Sequence, residues 1–599
     1  MKDTLPHWNM TVLYPGLESE EFEQGFNQAA EAIDGLVKLF DRHSISAWED
    51  KAISEETVRV VEEILDSYNE VIRQARTLEA YIDSFITTDS RNDLAQAKAS
   101  EFDRKWVQMS ILRNRFMAWI GSLDVEALIE SSQMAHDHAF FLRQAQTQAR
   151  HMMAPSEETL AAELDLSGGT AWARLHGNFS SQLSVPVEID GKTRELPMSA
   201  VRNLASNPDR EVRRRAYEAE IKAWEAAAVP LAAAMNGIKG QVNTLAEKRG
   251  WETPLDAALF DNHIDRQTLE AMMEAARESF PDFRRYLQAK ARALNIPVLS
   301  WYDMFAPLSE KEKAWPFEQA SEFVVEQFHT FSPELGGLAK RAFSENWIDA
   351  EPRPGKRDGA FCMWLQKDES RILSNYKPAF GGVSTLAHEL GHAFHNLNLK
   401  DRTMLQRGTP MTLAETASIF CQTIVRNAAL ENADAREQLS ILEADLQDSC
   451  QVVVDITSRF LFEQNVFSKR RERELSAGEF CGLMAEAQKE TYGDGLDPDT
   501  YHSYMWAMKP HYYSPGRSFY NFPYMFGLLF GLGLYARYKK DPDGFRDMYT
   551  DLLSSTGMFD AAELAGRFEI DIRSTGFWRL SLDVVRDNIN RFETLITDI

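Results

Sequence analysis

The 599-residue chain is poor in cysteine, holding only Cys362, Cys421, Cys450 and Cys481, none of them in a CxxC pair. That scarcity argues against a disulfide framework and against a cysteine-held metal, and it fits a reducing compartment. Long apolar runs are missing as well. The longest, Tyr524 to Ala536, is too short and too glycine-rich to span a bilayer, and the N-terminal Met-Lys-Asp-Thr-Leu-Pro-His-Trp-Asn has no apolar core for a signal peptide. Positive charge is in deficit: 65 Lys and Arg against 91 Asp and Glu leave a net charge of −26 and a pI near 5.0. This balance argues against nucleic acid and anionic membrane as partners, while cationic peptides gain a weak long-range attraction. No tandem repeat is evident, so a solenoid is disfavoured. The expectation is a cytoplasmic protein with neither nucleic acid nor membrane as partner.

What is present is a large globular chain, with 44% hydrophobic and 11% aromatic residues. At this length one core stops growing and two or more lobes are expected. Apolar residues recur with helical period through the first 150 positions. Ser19 caps a helix burying Phe22, Phe26, Ile33, Leu36 and Phe40, and Ser54 caps another with Val61, Leu65, Tyr68, Ile72 and Leu78 on one side. Further helices are predicted from about Ser90 to Ile120 and from Asp124 to Ala154, where His136, His138 and His151 read as ordinary polar-face residues. Asp190-Gly191 marks a hairpin turn between Val185 and Met198. Asn207, followed by Pro208 at the first helical position, predicts another helix start, and Arg210, Arg213, Arg214 and Arg215 read as a solvated face. The expected division is an N-terminal helical lobe over 1–200 and a second, catalytic lobe over 201–599.

The chemistry concentrates in one predicted helix, Val383 to Leu397. His388 and His392 are four apart, so their rings leave one face a turn apart and can close on a single metal ion. Glu389 is rotated around the axis, placed to reach a water on that metal. This is the HExxH pattern of zinc hydrolases. Leu386, Leu390, Ala393, Phe394 and Leu397 give the helix an apolar side to anchor. A hydrolytic zinc wants three protein ligands and an open position. Glu415, ahead of the apolar run Ile419, Phe420, Ile424 and Val425, is one candidate, with a plain salt bridge as its alternative reading. His395 is the competing candidate, although three ligands from one straight helix must converge over about 10 Å of rise. A contact behind the ligands or with substrate suits His395 better.

Two further stretches stand out. Phe361 to Gln366 and Arg371 to Tyr376 read as short strands separated by a polar turn, able either to hold an extended peptide by strand addition or simply to cover the core. His511 to Tyr524 crowds tyrosines and a histidine into a loop containing Gly and Pro.

Thr385 to His395, Leu413 to Ser418 and His511 to Gly527, in this order, resemble the oligoendopeptidase F branch of the thimet oligopeptidase family. Trp301 to Leu308, Arg371 to Asn375 and the N-terminal Trp8 to Pro15 support the likeness. The resemblance implies a mostly α, two-lobed zinc peptidase with a deep substrate channel and a small β-hairpin or sheet near the active site. By the same likeness His388, His392 and Glu415 hold one Zn2+ per chain and Glu389 is the general base toward the metal's water. His511, Tyr520 and Tyr524 bind substrate and steady the oxyanion, Tyr524 being favoured over Tyr520. Gly516 to Ser518 looks inserted, and Phe522 stands where relatives often carry tyrosine, which leaves the choice of hydroxyl open. The implied activity is internal cleavage of short unstructured peptides. A zinc carboxypeptidase or dipeptidyl carboxypeptidase remains an alternative, with Arg371 or Lys509 to hold a terminal carboxylate. A non-catalytic helical binding protein is the distant one.

Overall fold

The computed structural model describes residues 5–46, 53–308 and 313–598. Helix makes up 71% of the chain, and the described strands form only a two-stranded hairpin and a three-stranded sheet, which is the mostly α class expected. Two compact units share the chain in alternation. One takes the residues through Met152, Ala314–Ala428 and Arg537–Phe568; the other takes Met153–Lys313, Ala429–Ala536 and the residues from Glu569 on. The division drawn at residue 200 falls inside the second unit.

In the first unit, Ser19 and Ser54 cap the helices Glu20–Arg42 and Glu55–Thr88, each accepting from a backbone amide three residues on. Their apolar stripes bury Phe22, Ile33, Phe40, Ile64, Leu65 and Tyr81 together with Leu112, Trp119 and Ile120 of the helix Asp93–Gly121. The single helix expected from Asp124 to Ala154 is instead three pieces, Val125–Ser131, Gln133–Asp137 and Ala139–Arg150. Ser132 restarts it by capping Ala135, and His138 bonds the Met134 carbonyl with Nδ1 while its Nε2 lies 2.9 Å from Thr403 Oγ1. His138 is therefore a buried residue, not the polar-face histidine read from sequence. Phe361–Gln366 and Glu369–Leu373 pair antiparallel, with the two-residue strand Ile348–Asp349 parallel to the latter, so the strand from Phe361 has one free edge among the described residues. Leu365 of that edge strand belongs to the same core as the first helices.

In the second unit, Ser184–Ile189 and Lys192–Pro197 form the expected hairpin, with Asp190 and Gly191 both at positive φ, the twist a tight turn between strands requires. The helix Arg210–Lys248 is capped by Asp209, whose side chain accepts from the Glu211 amide, so neither Asn207 nor Pro208 sits where the sequence reading put them. The arginine face is also only partly solvated. Arg213 is buried and donates to Asp303 Oδ1 at 2.9 Å, and Arg210 donates to the same fully buried carboxylate. A buried carboxylate needs such partners. The core of this unit gathers Trp224, Leu231, Met235, Phe462, Phe480 and Trp506.

Candidate active site

The motif helix runs Phe380–Asn398, longer at both ends than the apolar periodicity implied. Val383, Leu386, Leu390 and Phe394 are buried along one side, and Asn396 ties the helix to the sheet by donating to Ser370 Oγ at 3.1 Å. Glu415 lies at the junction between the short helix Met411–Ala414 and the helix Thr416–Asn432. Gly391 lets the two backbones meet: a Cβ there would stand 2.6 Å from Ser418 Cα and 2.7 Å from the Ala417 carbonyl oxygen. The sequence between the histidines thus fixes how close Glu415 comes.

It comes close. Nε2 of His388 and of His392 lie 3.2 and 3.5 Å from Glu415 Oε2, and one donor atom from each of the three residues falls within 4.8 Å of the others. The two imidazoles stand nearly perpendicular. Nδ1 of His388 lies 3.0 Å from Gln422 Oε1, and a carbonyl oxygen can only accept, so that nitrogen carries a proton and Nε2 is the atom turned to the carboxylate. Without a metal, Nε2 meets Glu415 as a protonated donor; a cation bound there would take that proton's place. Ser418 Oγ donates to Glu415 Oε2 at 2.5 Å and holds the carboxylate in place. Burial favours neutral groups here, yet the bond to Glu415 carries His388 up to about 9, and the two histidines bring Glu415 down to about 2. Burial takes His392 down to about 4. Two imidazole nitrogens and a carboxylate oxygen, half-buried and braced from behind, are a donor set that fits zinc with a position left for solvent.

Glu389 is 5% exposed, and its Oε2 is buried with no hydrogen-bond partner among the described residues. Burial pushes this carboxyl up to about 7, with Glu415 adding to the rise and His388 opposing it. His395 is turned elsewhere: its Nε2 is 2.8 Å from Thr556 Oγ1 in a buried pocket, outside the three-residue cluster. Gln422, Ser418 and Thr556 were not singled out in the sequence. The spacing of 415, 418 and 422, which recurs on one helical face, was the available signal for the first two.

His511, Tyr520 and Tyr524 belong to the second unit. His511 opens from the turn Pro510–Tyr513, which is anchored by the fully buried Tyr512 and Tyr513; His176 stacks on Tyr513 at 3.8 Å and bonds the Ala507 carbonyl. Asn521 Nδ2 donates to His511 Nε2 at 2.7 Å, so the ring proton is on Nδ1. Burial, reinforced by Arg459, Lys509 and Lys239, holds this histidine neutral, down to about 3. Tyr520 and Tyr524 share a bond between their hydroxyls at 2.9 Å. Phe519, at φ 53°, donates its amide to Glu463 Oε2, whose other oxygen takes the buried Lys239 ammonium at 2.6 Å; that pair fixes the register of the segment. Of the two cations considered for a terminal carboxylate, Arg371 is buried and committed to Asn9 O, Ser370 O and Glu369, which removes it from that role. Lys509 lines a cavity.

Comparison with known proteins follows the same lines. Residues 203–583 match the model of Peptidase family M3, and residues 120–184 match that of Oligopeptidase F. The chain is similar to an oligoendopeptidase F homolog of Lactococcus lactis subsp. lactis, 25% identical over 498 residues that cover 82% of this chain and 80% of the relative. It is also similar to the group B oligopeptidase PepB of Streptococcus agalactiae, 22% identical across 98% of this chain and 97% of that one. Among solved structures, one from Chlamydophila abortus superposes with a TM-score of 0.83 at 19% identity, covering 98% of both chains. The oligoendopeptidase-F of Enterococcus faecium superposes at 0.70 with 18% identity, covering 97% of this chain and 99% of that one. At such identities the structural likeness speaks for the fold.

Proposed function

The chain belongs to Peptidase family M3, and from that premise we propose that it is a zinc endopeptidase that cuts internal bonds of short unstructured peptides, with His388, His392 and Glu415 as ligands and Glu389 as general base. One observation carries the reading: three mutually facing donor atoms lie beside the buried Glu389, whose Oε2 has no hydrogen-bond partner among the described residues. When bound, zinc supplies a Lewis acid that polarises the scissile carbonyl and acidifies water. Glu389 takes the proton from the attacking water and hands it to the departing amine, a task suited to a carboxyl whose pKa is raised toward neutrality. Gln422 and Ser418 hold His388 and Glu415 in register. The Nδ1–H of His511 and the hydroxyl of Tyr524 donate to the tetrahedral oxygen as negative charge develops there. The names of the relatives, oligoendopeptidase and oligopeptidase, support short peptides as substrates. No helix among the described residues is long and apolar enough to cross a membrane, and a cytoplasmic site of action is part of the proposal.

A mixed peptide library digested with and without chelator, and read by mass spectrometry, tests this. Internal cuts that vanish with chelator and return with zinc, in a protein carrying one zinc per chain, are the expected result. Release of C-terminal residues alone would favour the carboxypeptidase reading. A chain without stoichiometric metal and without cuts would be a binding protein.

A further inference from the structure

The second unit holds a cavity of about 500 Å3, within the range of about 300–1,000 Å3 typical of small-molecule sites. Its wall is aromatic on one side, from Tyr217, Tyr302, Trp301 and Tyr492. Across a chain of net charge −26, its charged lining runs the other way: Arg202, Arg213, Arg459 and Lys509 against Glu220 and Asp455. Most of these cations are already matched. Arg213 is bound to Asp303, Arg459 to Asp455, and Arg202 lies 3.8 Å from Glu220. Lys509 is the exception: half-buried at the cavity, it has no ion pair or side-chain hydrogen bond among the described residues. An ammonium withdrawn from water without a partner is costly unless something anionic meets it.

Two more features belong to this cavity. His502 is buried, with neither ring nitrogen in a well-formed hydrogen bond among the described residues, although Nε2 stands 3.4 Å from Glu220. Helix gives way to one wide π turn over Gln451–Asp455, whose first and last residues both line the cavity. Such turns sacrifice regular packing and recur at functional sites. The cavity also adjoins the tyrosine segment of the same unit, since Lys509 precedes His511 by two residues and both Lys509 and Arg459 act electrostatically on it.

We propose that this cavity binds the carboxylate of a short peptide or free amino acid, with Lys509 as its counter-ion and the aromatic wall taking the adjoining side chain. The chemistry is that of a terminal carboxylate followed by an apolar group. Whether that carboxylate is the substrate's own C-terminus or belongs to a separate small ligand is the point where the inference rests on the peptidase reading.

The test is calorimetric titration of the full chain carrying Glu389→Gln with acetyl-Leu-Phe and with acetyl-Leu-Phe amide. The free acid should bind at least about tenfold more tightly, the scale of one charge-assisted hydrogen bond. Lys509→Met in the same background should abolish that advantage without lowering the melting temperature, and Lys509→Arg should keep it within about threefold. Equal binding of acid and amide, or an advantage that survives Lys509→Met, overturns the proposal. A ten-residue peptide and its C-terminal amide, turned over by the protein with Glu389 intact, then separate the sources. A Lys509-dependent KM difference assigns the cavity to the substrate's end, and equal KM values beside Lys509-dependent dipeptide binding assign it to a separate ligand. Binding is read without turnover, so absence of peptide cleavage would sink the peptidase reading alone, and absence of acid preference would sink this one alone.

Discussion

Glu389 is buried, without a partner for one oxygen among the described residues, and raised to about 7, which leads to two measurements on one variant. Glu389→Gln keeps the shape and removes the base, so peptide turnover should fall at least about a hundredfold while metal content holds. Retained turnover would take the base role away from Glu389. The second measurement needs no substrate. A carboxyl whose folded pKa of about 7 exceeds its ordinary 4.5 binds its proton more tightly in the folded state, so stability is fully present below the lower value and is lost as pH rises through the higher one. At about 1.36 kcal/mol per unit the loss is roughly 3 kcal/mol above neutrality. The metal-free variant should therefore melt above the metal-free wild type at pH 8, with the gap closing toward pH 5; an unchanged gap would mean the burial does not act as described. The tyrosines make a third case. Tyr524→Phe should lower kcat about a hundred- to a thousandfold with KM little changed, and Tyr520→Phe less. Because the two hydroxyls bond each other, the double variant should cost less than the sum of the singles. A larger loss from Tyr520→Phe at full metal occupancy would exchange their roles.

Among the elements, the packing of the motif helix on the helix from Thr416 decides the ligand geometry, and Gly391 is where it can be broken. A methyl group there meets backbone at 2.6 Å, a distance that forces the helices apart because no side chain can swing away. Glu415 rides on the helix that must move, tethered to it by Ser418. Gly391→Ala should weaken zinc binding about ten- to a hundredfold in chelator competition, the usual effect of disturbing the groups behind a ligand. Gly381→Ala, one helical stretch earlier with nothing within 4 Å, is the matched control and should bind normally. Equal affinities would show that the approach at Gly391 does not set the site. This scale also marks what a sequence discloses. The pair His388 and His392 was legible because helical periodicity converts spacing directly into a shared face. Glu415 was legible only as a candidate, since its distance to the histidines depends on an interhelical contact. Arg213 was misread as solvated, because its partner Asp303 is brought to it by tertiary folding alone.

At the scale of the whole molecule, the helices and the hairpin followed from periodicity and turn chemistry, but the alternation of the chain between two units did not, since local patterns carry no information on which distant segments share a core. The alternation has a consequence for dissection. Residues 203–583 match the family model and look like a self-sufficient catalytic piece. Yet within the first unit the edge strand beside the motif helix is walled by the early helices: Leu365 is buried among them, and Thr77 Oγ1 donates to the Leu365 carbonyl at 3.1 Å. Pro6 and Asn9 are built in as well. Asn9 donates its amide to Asn346 O at 2.7 Å, Ala350 donates to Pro6 O at 2.8 Å, and Asn9 O accepts from the fully buried Arg371. A fragment of residues 201–599 would expose this apolar wall to water and remove the Asn9 acceptor of the Arg371 guanidinium, losing both the packing and a hydrogen bond that hold the sheet. It should fail to give a cooperative melt or bind zinc, whereas adding residues 1–200 as a separate chain should restore both in part. Circular dichroism melts and zinc titration of the fragment, alone and mixed, check this, and a fragment that melts and binds zinc unaided would show that the first 200 residues are an appendage to an independent catalytic body.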